Sequence, residues 1–290
     1  MKNVVAVIII IAMMLSCLAG CGSSSDNIMT IISEAEYRPE YPEERQHLRV
    51  GVLVGPYADM FAAAIKPALI SMGYTVDVVI FTEWDATNLA LANGEIDLNL
   101  FQHSQFLNNF KYEHNLELSA IAEVPTASMV LFSERYDSLN EIGVGAAIAL
   151  PADATNLARA LRILQEAGMI TLNPRIDLAR VTLDDIVGNS RRLTFNLVDG
   201  FGFFEEQIRG SDVVVMSGGR AYASGLNLSD ALYNEILRDG FLMVAAARTE
   251  DLARHFVKDL LTILHSDEYK EAIIDEESPF SGFQRPRYFF

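Results

Sequence analysis

Cysteine is nearly absent. The 290 residues hold two, Cys17 and Cys21, both within the first 21 positions. A body without a thiol beyond Cys21 forms no internal disulfide, no cysteine-ligated metal centre and no thiolate nucleophile. Basic residues are also few. With 22 Lys and Arg against 39 Asp and Glu, the formal charge is -17, so the field of the chain repels phosphate backbones and anionic surfaces, and nucleic acid is excluded as a partner. No apolar run reaches the roughly 20 residues that a membrane-spanning helix needs. Enzyme signatures are missing as well: there is no Gly-x-Ser-x-Gly elbow, Walker loop, Gly-x-Gly-x-x-Gly or His-Glu-x-x-His. Gly200-Phe201-Gly202 has two glycines of a dinucleotide loop, but Glu205 stands where the third belongs, and Glu205-Glu206 would face the phosphates. What is present, 50% apolar and 21% charged residues, is the composition of a folded protein with room for one large domain or two modest ones.

The first twenty residues have their own pattern. Lys2 is followed by an uncharged run from Val4 to Leu15, then by small residues at Ala19 and Gly20, the order of a secretory signal. A short anchor helix is the other reading. Leu18-Ala19-Gly20-Cys21 resembles the lipobox of bacterial lipoproteins, which implies cleavage before Cys21 and its acylation. Two or more acyl chains give stable attachment, at about 0.8 kcal/mol per buried CH₂. The expectation is a signal peptide at 1–20, a flexible linker at 21–46 marked by Ser23-Ser24-Ser25, Pro39 and Pro42, and a body tethered to the cell membrane on its extracytoplasmic side.

From His47 onward apolar strands alternate with helical stretches, which predicts α/β units and largely parallel sheets. Strands are expected over Leu48–Val54, Thr75–Phe81, Ile96–Phe101, Gly143–Leu150, Leu193–Val198, Asp212–Met216 and Phe241–Ala247. Phe61, Ile65, Leu69 and Met72 recur at helical spacing, with Pro67 bending that helix. A short helix is expected over Asn88–Ala92. Another follows Pro151, with Asp153 and Thr155 as candidate caps and Gly168 as its stop. The division that results is lobe 1 at 47–134 with 239–290 returning to it, and lobe 2 at 135–238.

Candidate site residues lie where strands give way to helices. His103 follows a strand directly and Phe106 comes one turn later, so both rings can point off the end of a sheet where open α/β folds bind ligands. A capping histidine over a packed core is the plainer reading. Trp84 sits at the end of the preceding strand, either as a core residue or as a third ring at that edge. Asn156 and Arg159 fall in the first turns of a helix, where a helix N-terminus and a guanidinium both favour an anion. An Arg159 exposed and bridged to Asp153 is the alternative.

These residues resemble the methionine-binding lipoproteins of ABC importers, the NlpA-type family, over nearly the full chain. The resemblance is carried by Phe81-Thr82-Glu83-Trp84, by Asn88 through Asp97, by Phe101-Gln102-His103 with Phe106, and by Thr155-Asn156 with Arg159-Ala160-Leu161. It implies a two-lobed periplasmic-binding-protein-like (type 2) fold. Each lobe is then a β-sheet flanked by helices, and the ligand lies in the cleft between lobes. It also implies a binding protein with no catalysis and no cofactor, which delivers methionine or an analogue to a membrane permease driven by a cytoplasmic ATPase. Trp84, His103 and Phe106 fall where the family walls the thioether, and Asn156 and Arg159 where it holds the carboxylate.

Two stretches depart from the family pattern. Ser217-Gly218-Gly219-Arg220 stands where an Asn-Gly-Asn stretch contacts the amino-acid end of the substrate, and Ala127-Ser128 replaces a Glu-Pro pair. Loss of partners for a buried ammonium costs roughly 1 to 3 kcal/mol. The departures predict a relative of methionine whose amine is blocked, replaced or extended, with Gly219 and Arg220 at the altered subsite and Arg220 as a second anion contact. An orphan lipoprotein with a degenerate cleft, acting in adhesion or signalling, is the other reading.

Overall fold

The computed structural model describes residues 47–198 and 210–290. The expected signal peptide at 1–20, Cys21, the expected linker to residue 46, Gly200-Phe201-Gly202 and Glu205-Glu206 lie outside the described residues. No helix among the described residues is long and apolar enough to cross a membrane.

The first sheet opens with β1 (His47–Leu53) and β2 (Thr75–Phe81), parallel to each other. Between them runs α1, a helix in three pieces: Pro56–Met60, a π-helical turn at Phe61–Ile65, and Lys66–Ser71. Pro67 supplies the expected distortion, because it has no N–H for the Ala63 carbonyl and the wider turn lies just ahead of it. Next come α2 (Trp84–Ala92), β3 (Leu98–His103), α3 (Ser104–His114) and β4 (Leu118–Val124). The late strand β12 (Met243–Arg248) inserts between β3 and β4, giving the order β2-β1-β3-β12-β4. Helices α6 (His255–His265) and α7 (Asp267–Ile274) close this half, and Phe256, Leu260, Ile263 and Tyr269 join its core.

The second sheet has the order β11-β5-β10-β6-β9. It is built from β5 (Val130–Phe132), β6 (Ala147–Pro151), β9 (Thr194–Val198), β10 (Val213–Met216) and β11 (Tyr233–Asn234), with a two-stranded annex of β7 (Thr171–Leu172) and β8 (Ile186–Gly188). Helix α4 (Ala154–Glu166) packs Leu157, Leu161 and Leu164 into its core. A short helix, α5 (Gly218–Ala223), follows β10.

Three expectations change. The sheets are mixed rather than largely parallel: β12 runs antiparallel to both neighbours, as does β5. The reason is where these strands enter. β3 ends at the cleft with His103, while β12 arrives there from the other lobe, so Met243 pairs with His103 and the strand runs away from the cleft. β5 repeats this, its first residue Val130 pairing with Met216 at the end of β10. Second, Val130–Phe132, assigned to lobe 1 by a division at 134, pair within the second sheet. Third, Trp84 is the first residue of α2 and not the end of a strand, with Thr87 Oγ1 donating back to the Glu83 carbonyl at 2.9 Å.

The two connections between sheets are tied by one C-terminal residue. Gln284 exchanges backbone hydrogen bonds with Thr126, both 2.9 Å. Its Nε2 donates to Ser128 Oγ at 2.6 Å and to the Glu235 carbonyl at 2.7 Å, and its Oε1 accepts from Leu237 N at 2.9 Å.

Candidate functional site

The site begins with buried amides. Asn88 on α2 and Asn99 and Gln102 on β3 are all buried. Asn88 Nδ2 donates to Gln102 Oε1 at 2.7 Å, and Asn88 Oδ1 accepts from Asn99 Nδ2 at 2.9 Å and from Gln102 Nε2 at 2.7 Å. Buried amides joined in this way hold their elements in one register. Here they fix α2 on β3 and bring Trp84, at the start of α2, against Phe106 in the first turn of α3. The rings meet edge to face with centroids 5.7 Å apart. Trp84 is only partly buried and lines the cleft, so it is not a core tryptophan.

His103 caps a helix and also lines the cleft. As the N-cap of α3 its Nδ1 accepts from Phe106 N at 3.1 Å, which makes Nε2 the protonated nitrogen, 3.2 Å from Asn156 Oδ1 across the cleft. Burial, reinforced by the positive charges of Arg159 and Arg162, drives the imidazole down to a pKa of about 3. It is therefore a neutral donor.

Asp153 caps α4, accepting from Asn156 N at 2.9 Å; Thr155, the other candidate cap, lies inside the helix and accepts from Asn109 Nδ2 of α3 at 2.8 Å. Asn156 Nδ2 donates to both Asp153 oxygens at 3.1 Å, and its Oδ1 accepts from His103 Nε2. Its side chain thus links the lobes.

Arg159 is 1% exposed, and the alternative of a surface bridge to Asp153 is replaced by a buried partner. Its Nε lies 3.0 Å from both carboxylate oxygens of Glu235 and its Nη2 also binds Glu235. Arg162 Nη2 reaches Glu235 Oε1 at 3.3 Å, and Met129 N donates to Oε2 at 3.1 Å. The Phe241 ring lies 5.0 Å from Arg159 Cζ and 4.5 Å from Arg162 Cζ, within cation–π range. Two donors of this cluster are left over: Arg159 Nη1 and Arg162 Nε are buried and have no hydrogen-bond partner among the described residues. Two guanidinium groups share the Glu235 carboxylate, and Arg162 Nε also lies 3.8 Å from Glu166.

Gly219 and Arg220 lie in the first turn of α5, on the same cleft. A Cβ at Gly219 would stand 3.1 Å from the Tyr57 ring. At Gly218 it would stand 2.2 Å from the Ser128 carbonyl oxygen and 2.7 Å from Ala127 Cβ. The two departures from the family pattern thus meet in space, since Gly218 packs on Ala127 and Ser128. Desolvation lowers the Arg220 pKa from the usual arginine range.

These elements enclose a cavity of about 50 Å³ lined by Leu53, Val54, Pro56, Tyr57, Trp84, Phe101, Gln102, His103, Phe106, Asn156, Arg159, Ser217, Gly219, Arg220 and Met243. Every ligand-binding residue expected from the sequence is on this wall. Glu235, Tyr57, Gln102 and Met243 were not foreseen. Glu235 sits in an unremarkable Tyr-Asn-Glu-Ile run whose distance from Arg159 along the chain hides the pairing, and Tyr57 shows no pattern beyond its place after Pro56.

Rings and a guanidinium from facing lobes around a small enclosed space define the class: a two-lobed, solute-binding α/β protein. Residues 48–286 match the NlpA lipoprotein family, and the chain belongs to it. It is 29% identical over 229 residues to the D-methionine-binding lipoprotein MetQ of Yersinia pestis, covering 78% of this chain and 84% of that one. A nutrient-binding protein from Burkholderia cenocepacia bound to methionine superposes with a TM-score of 0.75 at 27% identity, covering 81% of this chain and 97% of the other. A periplasmic substrate-binding protein of an ABC transporter from Coxiella burnetii gives 0.76 at 28% identity, covering 82% and 100%.

Proposed function

We propose that this chain is the substrate-binding component of an ABC importer, anchored through acylated Cys21 to the extracytoplasmic face of the cell membrane, and that it binds methionine or a related amino-acid derivative for delivery to a permease. It performs no catalysis. Its lobes divide in the two tied connections, with 47–126 and 239–290 in the first and 129–235 in the second.

The observation that carries this reading is that Arg159, whose Nη1 is buried with no hydrogen-bond partner among the described residues, lines a cavity faced mainly by rings and aliphatic carbon, with Gln102, Asn156, Ser217 and Arg220 as its other polar walls. A hydrogen bond to a charged partner contributes about 1.5 to 3 kcal/mol, sulfur against aromatic edges about 0.3 to 1.5 per contact, and burial of a methionine-sized side chain about 1.5 to 3. A carboxylate and a thioether on one ligand would use both kinds of wall. The relatives named for methionine support the same ligand class.

Trp84, the sole tryptophan, reports occupancy. Titration with thioether-containing amino acids and their derivatives is expected to change its emission saturably, and Arg159→Lys to weaken binding about 10- to 100-fold through loss of the forked donor. Unchanged affinity in Arg159→Lys, or no response to any carboxylate-bearing thioether, refutes the assignment.

A further inference from the structure

Arg159 is held by residues that do not themselves line the cavity. On α4, Arg159, Arg162 and Glu166 follow one another at spacings of three and four, so they share one face of the helix. Against that face lies the connection from β11 to β12, which brings Glu235, Arg238 and Phe241 to it. The charges alternate. Arg162 Nη2 stands 3.3 Å from Glu235 Oε1, the same oxygen that Arg159 Nε binds at 3.0 Å. Glu166 Oε1 in turn lies 3.8 Å from Arg162 Nε and accepts from Arg238 Nη2 at 2.6 Å. The series ends at the surface, where the Arg238 side chain is 54% exposed.

The same connection carries Phe241, whose ring lies against both guanidinium groups and 5.1 Å from the His103 ring. Just before it the chain is fastened to the other lobe, the Gly240 carbonyl accepting from Gln105 N at 2.9 Å and from Ser104 Oγ at 3.1 Å. A slide of the connection along α4 would therefore carry Glu235 and Phe241 with it, and both are partners of Arg159. A guanidinium presents its donors in one rigid plane, so turning Arg159 to follow Glu235 re-aims Nη1. None of Arg162, Glu166, Glu235, Arg238 and Phe241 lines the cavity.

We propose that Arg162, Glu166 and Arg238 are positioning residues for the ligand site. They fasten residues 235–241 to α4 and, through Glu235 and Phe241, fix the direction of Arg159 Nη1. This rests on the solute-binding reading above. The outermost pair is the one to cut, because losing Arg238 leaves Glu166 beside Arg162 and unpairs no fully buried charge. A partly exposed pair of this kind is worth up to about fivefold in an equilibrium and is screened by salt.

The test is stopped-flow fluorescence of Trp84 in the full chain in detergent, with L-methionine, D-methionine and N-acetyl-L-methionine as probes, at about 0.02 and about 0.5 M NaCl. Arg238→Gln is expected to raise the dissociation rate of a bound probe about two- to fivefold at low salt, and Arg238→Lys by less than about twofold. At high salt the gap between Arg238→Gln and the unaltered chain should close. Adding Arg238→Gln to Glu166→Gln should do no further harm, since the pair is then already broken. A merely structural pair would lower the melting temperature and leave these rates alone. Equal rates in Arg238→Gln and the unaltered chain, or a gap that persists at high salt, overturn the positioning role and leave the solute-binding reading standing. No response of the unaltered chain to any of the three probes overturns both.

Discussion

Glu235 is the residue on which the clamp depends, and its replacement by glutamine is the sharpest perturbation available. The side chain is 1% exposed and accepts from Arg159, Arg162 and Met129 N. Glutamine keeps the shape, removes the charge and turns one acceptor into a donor aimed at a guanidinium. Breaking a buried ion pair by neutralising one partner costs about 3 to 5 kcal/mol. For a chain of this size each kcal/mol moves the midpoint by about 2 to 4 °C, so Glu235→Gln is expected to melt about 6 to 20 °C lower. Arg159→Met combined with Glu235→Gln should be less damaging than the two single changes added together, because the pair is coupled. Calorimetry in the absence of ligand measures both. A loss under about 1 kcal/mol in Glu235→Gln, or strict additivity in the double variant, would falsify the idea that Glu235 is the charge partner of Arg159.

Two further outcomes follow from the site. Gly218→Ala places a methyl 2.2 Å from a backbone carbonyl oxygen, an overlap no rotamer relieves, so it should cost about 1 to 3 kcal/mol or more; Gly219→Ala meets the Tyr57 ring at 3.1 Å and Pro56 at 3.7 Å and should be milder, and the reverse ranking in urea unfolding contradicts the packing described. His103 is held neutral in the fold, with its pKa near 3 against the ordinary 6.5. The unfolded chain takes up a proton below pH 6.5 that the folded chain refuses, so stability falls as pH drops from 6.5 toward 3, by about 1.4 kcal/mol per unit, and is level above that window. His103→Asn keeps a capping acceptor and should flatten the pH 7 to 4.5 difference by about 2 to 3 kcal/mol; an unchanged slope removes His103 from the account.

Much of the site was legible because its residues sit at element junctions. His103 and Phe106 are three apart at the start of a helix, and Asn156 and Arg159 repeat that spacing, so local geometry alone puts each pair on one side of its helix. The amide triad was harder to see. Asn88 belongs to a helix and Asn99 and Gln102 to a strand, and nothing in either pattern reports that polar side chains are turned inward to meet. The β12 insertion was equally hidden, because an apolar run from Phe241 states that a strand exists without stating its neighbours or its direction.

Local sequence, through hydrophobic period, caps and breakers, determined most of the strands and helices, the helix stop at Gly168 and the positions of the rings and the cation. Those signals act over a few residues and are complete within one element. The sharing of Glu235 between two arginines and the contact of Ala127 and Ser128 with Gly218 join positions tens of residues apart. Such pairings are set by how two sheets face each other, so only the folded chain decided them.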